Sequence, residues 1–390
     1  MGEISVCGIS EASEFESLWA LPRLPLTERF GTYRSDHGLA HDQELVISVP
    51  AGHVQLRRQL DPTVLYTDAE YSFRTGASAK SIHGVEFFLS FMRPLTSGRR
   101  FRSIVDVGGN DRYLAERLLD STDYCAVIDP ICAADDGKVI DGVHVFGRFG
   151  EDVNMAEAMP RPDLIVCRHT LEHVARPRAV IEQWFRECAD DCLYVIEVPC
   201  FENLVESQRF DAVFHQHYHY YDLAAFKHLV WSCGGEYLAH TFNHQGSCGG
   251  ALLLAFRKAR TAQPEPVIDL DARVKHLRER IDAYRSQMTV MGDLLRALPG
   301  PVYGYGAGLM LATMAYHLGT DLSELECVLD DDPAKNGTGY VNLPVEICQT
   351  AQVNPAPNSS YLITSLENLR PIYRRITELT PRRILMPLLS

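Results

Sequence analysis

A rhythm of short strands constrains this 390-residue chain more than any other feature. β-rich apolar runs recur at 103–108, 124–129, 143–147, 163–167 and 193–198, with helix-compatible stretches between them. Strands spaced in that way pair in parallel through crossover helices, which predicts an α/β sheet. Two longer runs follow, at 235–242 and 251–256, separated by Gly-rich sequence, and they read as an antiparallel pair closing the sheet.

The rest of the chain sorts around that sheet. Residues 1–82 are irregular, with turn formers and short apolar runs, and form an N-terminal domain; 83–258 carry the sheet. Residues 259–298 read as a polar helical connector, with Pro264 and Pro266 ahead of its helix and Pro-Gly-Pro at 299–301 ending it. Residues 299–390 repeat the strand–glycine–helix logic as a second, Rossmann-like domain. A chain of this length exceeds one hydrophobic core, so several domains are expected.

Composition removes several classes. With 46% hydrophobic and 23% charged residues the chain is ordinary for a globular protein. No run reaches the roughly 20 apolar residues of a membrane span, and the first residues hold acids rather than an apolar leader; the expectation is a cytoplasmic protein with no membrane partner. A formal net charge of −14 argues against a nucleic-acid partner. The 11 cysteines lie singly with no Cys-x-x-Cys pair, so neither a disulfide framework nor a zinc knuckle is expected, and no metal is assigned.

Four segments carry chemistry. In the first, Asp106 ends a strand that runs into Gly108, Gly109 and Asn110, where backbone amides can approach a ligand; Asp129, about 20 residues on, is placed to take ribose hydroxyls. With Phe149 as one wall of an adenine slot, these residues point to a nucleoside cofactor. The hairpin ending favours S-adenosylmethionine over a nicotinamide and a class I methyltransferase (Rossmann-like) sheet over a dehydrogenase. In the second, Arg168-His-Thr-Leu-Glu-His173 follows the fourth strand. His169, Glu172 and His173 match a metalloprotease pattern literally. Their place at the carboxyl edge of a parallel sheet instead assigns them, His169 included, to the lining of the cofactor pocket.

In the third, residues 210–222 place His215, His217 and His219 in alternation, so that an extended chain would turn all three to one side as base, acceptor-positioning groups or metal ligands. In the fourth, Gly306 and Gly308 precede an acidic run at Asp330, Asp331 and Asp332. This is either a second nucleotide site or a structural lobe.

In their linear order these pieces resemble the sugar C-methyltransferase family, whose members add a branch methyl to nucleotide-linked keto-deoxysugars. The resemblance covers nearly the whole chain: 24–30, 53–56 and 71–78 for its N-terminal domain; 106–111, 128–130, 197–199 and the His215–His217 run with Tyr220 and Tyr221 for its methyltransferase domain; and 305–307, 330–335 and 343–345 for its C-terminal domain. The chain departs from the pattern in four places. It lacks the paired zinc cysteines near 48–53. It has Gln216 where the acceptor motif carries glutamate. It lacks the arginine of the family's Gly-Gly-Ser-x-Arg at 245–249, and Met310 stands near the place of its glycine-turn lysine.

The resemblance implies S-adenosylmethionine on Gly108, Gly109 and Asn110 with its ribose on Asp129. It also implies a nucleotide-sugar acceptor near Tyr71, His215, Tyr220, Gly306 and Gly308, between the middle and C-terminal domains. His217 is then the base that removes a proton next to a ketone, and Gln216 or His219 donates to the enolate oxygen. O- or N-methylation of another metabolite, and a catalytically silent cofactor-binding partner, are the rival readings. Oligomeric state is not legible in the sequence.

Overall fold

A computed structural model describes residues 2–27, 30–35, 37–60, 79–246 and 249–388. The chain divides into two compact units, each assembled from separated stretches. The first takes Met1–Glu16, Val46–Asn203 and His217–Leu270; the second takes Ser17–Leu45, Leu204–Gln216 and Asp271–Ser390.

The first unit is built on an eight-stranded sheet. Its strands are β1 (Ile104–Val107), β2 (Cys125–Ile128), β3 (Val139–Ile140), β4 (Val143–Phe146), β5 (Leu164–Arg168), β6 (Leu193–Pro199), β7 (Gly235–Asn243) and β8 (Ala251–Lys258), in the order β7-β8-β6-β5-β1-β2-β4-β3. β4, β2, β1, β5 and β6 run parallel, whereas β8 is antiparallel to both β6 and β7. This is the five-strand parallel core with a closing antiparallel pair that the sequence predicts.

The central strands β1, β2, β5 and β6 are apolar except at Asp106, Arg168 and Glu197, because both faces are covered. Alternate residues feed two different cores: Ile165 and Cys167 of β5 join Val105, Val107 and Ile196 on one face, while Leu164 and Val166 join Ile104, Val127 and Val195 on the other. Helix α1 (Ala79–Thr96) supplies Val85, Phe88 and Met92 to the second core, and α2 (Tyr113–Leu118) supplies Leu114, Ala115 and Leu118. The first core receives Val180, Ile181, Trp184 and Phe185 of α3 (Pro177–Glu187) and Phe226, Leu229 and Val230 of α4 (Leu223–Ser232). Also in this unit the short strand Val54–Leu56 pairs antiparallel with His219–Tyr220.

The second unit begins its C-terminal part with α5 (Leu270–Arg296). This is the stretch read as a polar connector, but Val274, Leu277, Ile281, Tyr284, Met288 and Leu295 give it a buried stripe at three- and four-residue spacing. A six-stranded sheet follows, built from β9 (Val302–Tyr305), β10 (Val328–Asp330), β11 (Thr338–Tyr340), β12 (Leu343–Gln349), β13 (Ser360–Ile363) and β14 (Arg383–Leu385), with α6 (Leu311–Leu318) and α7 (Leu369–Glu378) between strands. The order is β11-β12-β10-β9-β13-β14, parallel except for β11. Among the described residues no helix is long and apolar enough to cross a membrane.

Candidate active site

The turn after β1 admits no side chains. Gly108 has φ +77°, and a Cβ there would lie 1.8 Å from Thr170 Oγ1; a Cβ on Gly109 would lie 2.2 Å from Val127 Cγ2. Asn110 and Arg112 also sit at positive φ, 48° and 66°, which winds the chain tightly into α2. Asp129, at the end of β2, holds this turn. Its Oδ2 accepts the Asn110 N–H at 2.9 Å and its Oδ1 accepts the Ile131 N–H at 2.9 Å.

Beneath the turn Asp106 is buried, with Oδ2 accepting no hydrogen bond. Burial pushes its carboxyl up to about 7 against the pull of Arg168, with Asp129 and Asp111 adding to the rise. Phe149 is half exposed at 50% just after β4, and the next residue, Gly150, runs so close to β1 that a Cβ would come within 3.2 Å of Val107.

Thr170, which abuts Gly108, belongs to the turn after β5, where a buried charge cluster begins. Arg168 pairs with Glu197 of β6. Burial works against the Glu197 carboxylate, yet Arg168 and His169 outweigh it and bring it down to about 2. His169 adopts φ 49° and donates its N–H to the Glu197 carbonyl at 2.8 Å. Its ring lies 3.6 Å from Glu197 Oε1 on one side and 3.6 Å from Glu172 Oε1 on the other. Burial disfavours its charge, but the two carboxylates prevail and raise it to about 9, so His169 is a cation at neutral pH.

Glu172 is 1% exposed, and neither carboxylate oxygen accepts a hydrogen bond. Its other close imidazole is His173, at 3.9 Å. The Glu172 carbonyl accepts the N–H of Tyr218 at 2.8 Å, which ties the β5 turn to the histidine segment. His217, 5% exposed, sets its ring edge-on to His173 with centroids 4.8 Å apart, and Tyr220 lies 6.4 Å away. Burial, reinforced by His173 and His169, holds His217 well below the ordinary histidine range, so it is a neutral imidazole. The ligating atoms of Glu172, His173 and His217 lie within 4.8 Å of one another, a spread that must tighten toward the ~3.4 Å between ligands of a tetrahedral zinc before they could share an ion.

The other expected residues fall elsewhere. The chain turns at His215 and Gln216 instead of running extended, so the three histidines do not share one face. His215 lies in the second unit, where its Nε2 bonds the Leu24 carbonyl at 2.9 Å, and burial takes it down to about 4. Gln216 is buried in that unit as well. His219 pairs its Nδ1 with His53 Nε2 at 2.9 Å and stacks near Tyr221; Gly8 faces it so closely that a Cβ would lie 2.3 Å from His219 Cε1. Burial takes His219 down to about 4 as well, so it serves the core rather than an acceptor.

Gly306, at φ 96°, packs against Ile372 and Ser365 in the second unit, and Gly308 lies beside Thr364. Asp330 accepts the Ala307 N–H at 2.8 Å and the Asp332 N–H at 2.9 Å, the same clamp that Asp129 forms, but here Lys335 adds an ion pair at 3.3 Å. Tyr71 lies outside the described residues. The sequence offered His173 and Glu172 as a zinc ligand and base or as part of a stretch lining the cofactor pocket, and gave neither them nor Arg168 a separate role; their position at the carboxyl edge of β5 was the available signal.

Residues 80–240 match a family model described as a methyltransferase domain. No curated protein matches the sequence. Among solved structures the chain is similar to the N-methyltransferase NodS from Bradyrhizobium japonicum WM9 in complex with S-adenosyl-L-homocysteine (14% identity, 50% of this chain and 96% of that one, TM-score 0.38). It is also similar to magnesium protoporphyrin IX methyltransferase from Synechocystis PCC 6803 (10%, 50% and 92%, 0.34) and an S-adenosylmethionine-dependent methyltransferase from Clostridium acetobutylicum ATCC 824 (9%, 44% and 89%, 0.35). The sheet order and the family match define a class I methyltransferase domain. The chain therefore carries a methyltransferase domain.

Proposed function

We propose that this enzyme methylates a carbon atom of a nucleotide-linked keto-deoxysugar and that His217 takes the proton. The observation that carries the reading is a neutral, buried imidazole at 217, next to a β5 turn that also packs on the glycine turn through Thr170. The amides around Gly109 and Asn110, the Asp129 carboxylate and the Phe149 ring would hold the nucleoside, and the bound cofactor supplies an electrophilic methyl on sulfonium. A Cβ at 108 or 109 would collide with Thr170 or Val127, so the two glycines let the turn lie close against the β5 turn and β2 while its amides stay unshielded by side chains of their own.

A carbon next to a ketone is a weak acid, so His217 has to be neutral when the acceptor arrives and has to sit at the carbon it deprotonates. Burial keeps water from competing for its nitrogen. Gln216 is an amide and no base, so the glutamate of the acceptor motif that this segment resembles is absent from its place. That substitution also favours an alternative, O- or N-methylation of a different metabolite, which needs no carbon acid.

His217→Ala is expected to abolish turnover of a nucleoside diphosphate-linked 4-keto-6-deoxysugar while changing S-adenosylmethionine affinity by no more than about threefold. Retained turnover would move the base elsewhere. NMR of the product separates a C-methyl from an O-methyl.

A further inference from the structure

We infer that Glu172 supplies, from the turn after β5, the carboxylate that the histidine segment lacks at Gln216, acting as the positioning and counter-charge partner of His217. The inference rests on the reading of His217 as base and adds a residue to it. Glu172 is 1% exposed, its carboxylate oxygens accept no hydrogen bond, and its ligating atom lies within 4.8 Å of those of His173 and His217. Its main chain is fixed to the same segment by the Tyr218 N–H bond at 2.8 Å, so carboxylate and imidazole keep their separation.

The groups facing His217 show what that charge does. From the β5 turn come His169, Glu172 and His173; from the strand His219–Tyr220 comes Tyr220; Arg168 and Glu197 stand behind His169. Arg168 pairs with Glu197, and the His169 ring lies between Glu197 and Glu172. When the acceptor C–H bond breaks, its electron pair stays on the acceptor as the enolate and its proton passes to His217, adding one positive charge beside His169. With Glu172 the imidazolium forms opposite a buried anion, whose influence at this range is strong.

Glu172→Gln keeps size and removes the charge, and Glu172→Asp restores the charge on a shorter arm. Activity needs neutral His217 and is therefore lost as pH falls through its pKa; removing a nearby anion lowers that pKa. For Glu172→Gln we expect turnover of the 4-keto-6-deoxysugar probe to fall roughly a hundredfold, in the range of acid–base effects. The acid limb of kcat/KM should move about one to three pH units lower, and S-adenosylmethionine affinity should stay unchanged. Glu172→Asp should recover part of the rate and return the limb toward its original position.

Histidine hydrogen–deuterium exchange on the full chain, read residue by residue, needs no acceptor: the His217 midpoint should move down in Glu172→Gln. An unmoved midpoint overturns the proposal. Stoichiometric metal in the purified protein with activity lost to a chelator also overturns it, because Glu172 would then be a ligand. If His217→Ala stays active, the base assignment fails; if His217→Ala is dead while Glu172→Gln leaves the limb in place, only the role of Glu172 fails.

Discussion

At the scale of single residues, the glycine turn after β1 is shaped by what cannot be there. Gly108 has no room for a methyl group because Thr170 occupies that space, and Asn110 and Arg112 hold left-handed backbone that costs on the order of 1–3 kcal/mol each. Asp129 offsets that strain by bonding two backbone amides. Asp129→Asn puts an NH2 group where one of those amides needs an acceptor, leaving a donor against a donor. We expect a loss of about 1–3 kcal/mol in stability and at least roughly a tenfold loss of S-adenosylmethionine affinity, about 1.4 kcal/mol. Ligand-shift melting measures both, and an unchanged shift would remove Asp129 from the cofactor site.

At the scale of elements, small residues decide contacts that helix propensity would decide otherwise. Gly292 lies inside α5, where alanine ordinarily gains about 1 kcal/mol. Here a Cβ would lie 2.1 Å from the Leu318 carbonyl at the end of α6, so Gly292→Ala should lower the melting temperature, at a cost of about 1–3 kcal/mol from overpacking. Circular dichroism melting checks the sign.

The same scale explains what the sequence displayed. Strands β1, β2, β5 and β6 were legible because runs such as Leu-Ile-Val-Cys at 164–167 must be apolar on both faces. The stripe of α5 was harder to see, since its buried residues are diluted by Arg273, Lys275, Arg278 and Arg280. The histidine faces were misjudged because a single turn at 215–216 replaces the strand on which alternation depends. Glu172 was hidden for another reason: its partner is 45 positions away, and no local spacing reports a contact made across the fold.

At the scale of the whole molecule, buried imidazoles tie stability to pH. His215 and His219 are both held near 4 by burial, below the ordinary value of about 6.5 that they regain on unfolding. Between those values the unfolded chain binds protons that the folded chain refuses, so stability is full above about pH 6.5, falls as pH drops toward about 4 and levels off beyond. The effect is on the order of a few kcal/mol per residue. Denaturant melts at pH 7.5, 6 and 4.5 should show a progressive drop, and His219→Phe should make the curve shallower; a flat stability profile would contradict the burial of both rings.

The clamp at Asp330 has a consequence of its own. The carboxylate at 330 is met by an ammonium group that also reaches the Ala307 carbonyl. Lys335 thus caps both polar atoms from within the polypeptide. That loop is braced by a cation the polypeptide itself brings to it.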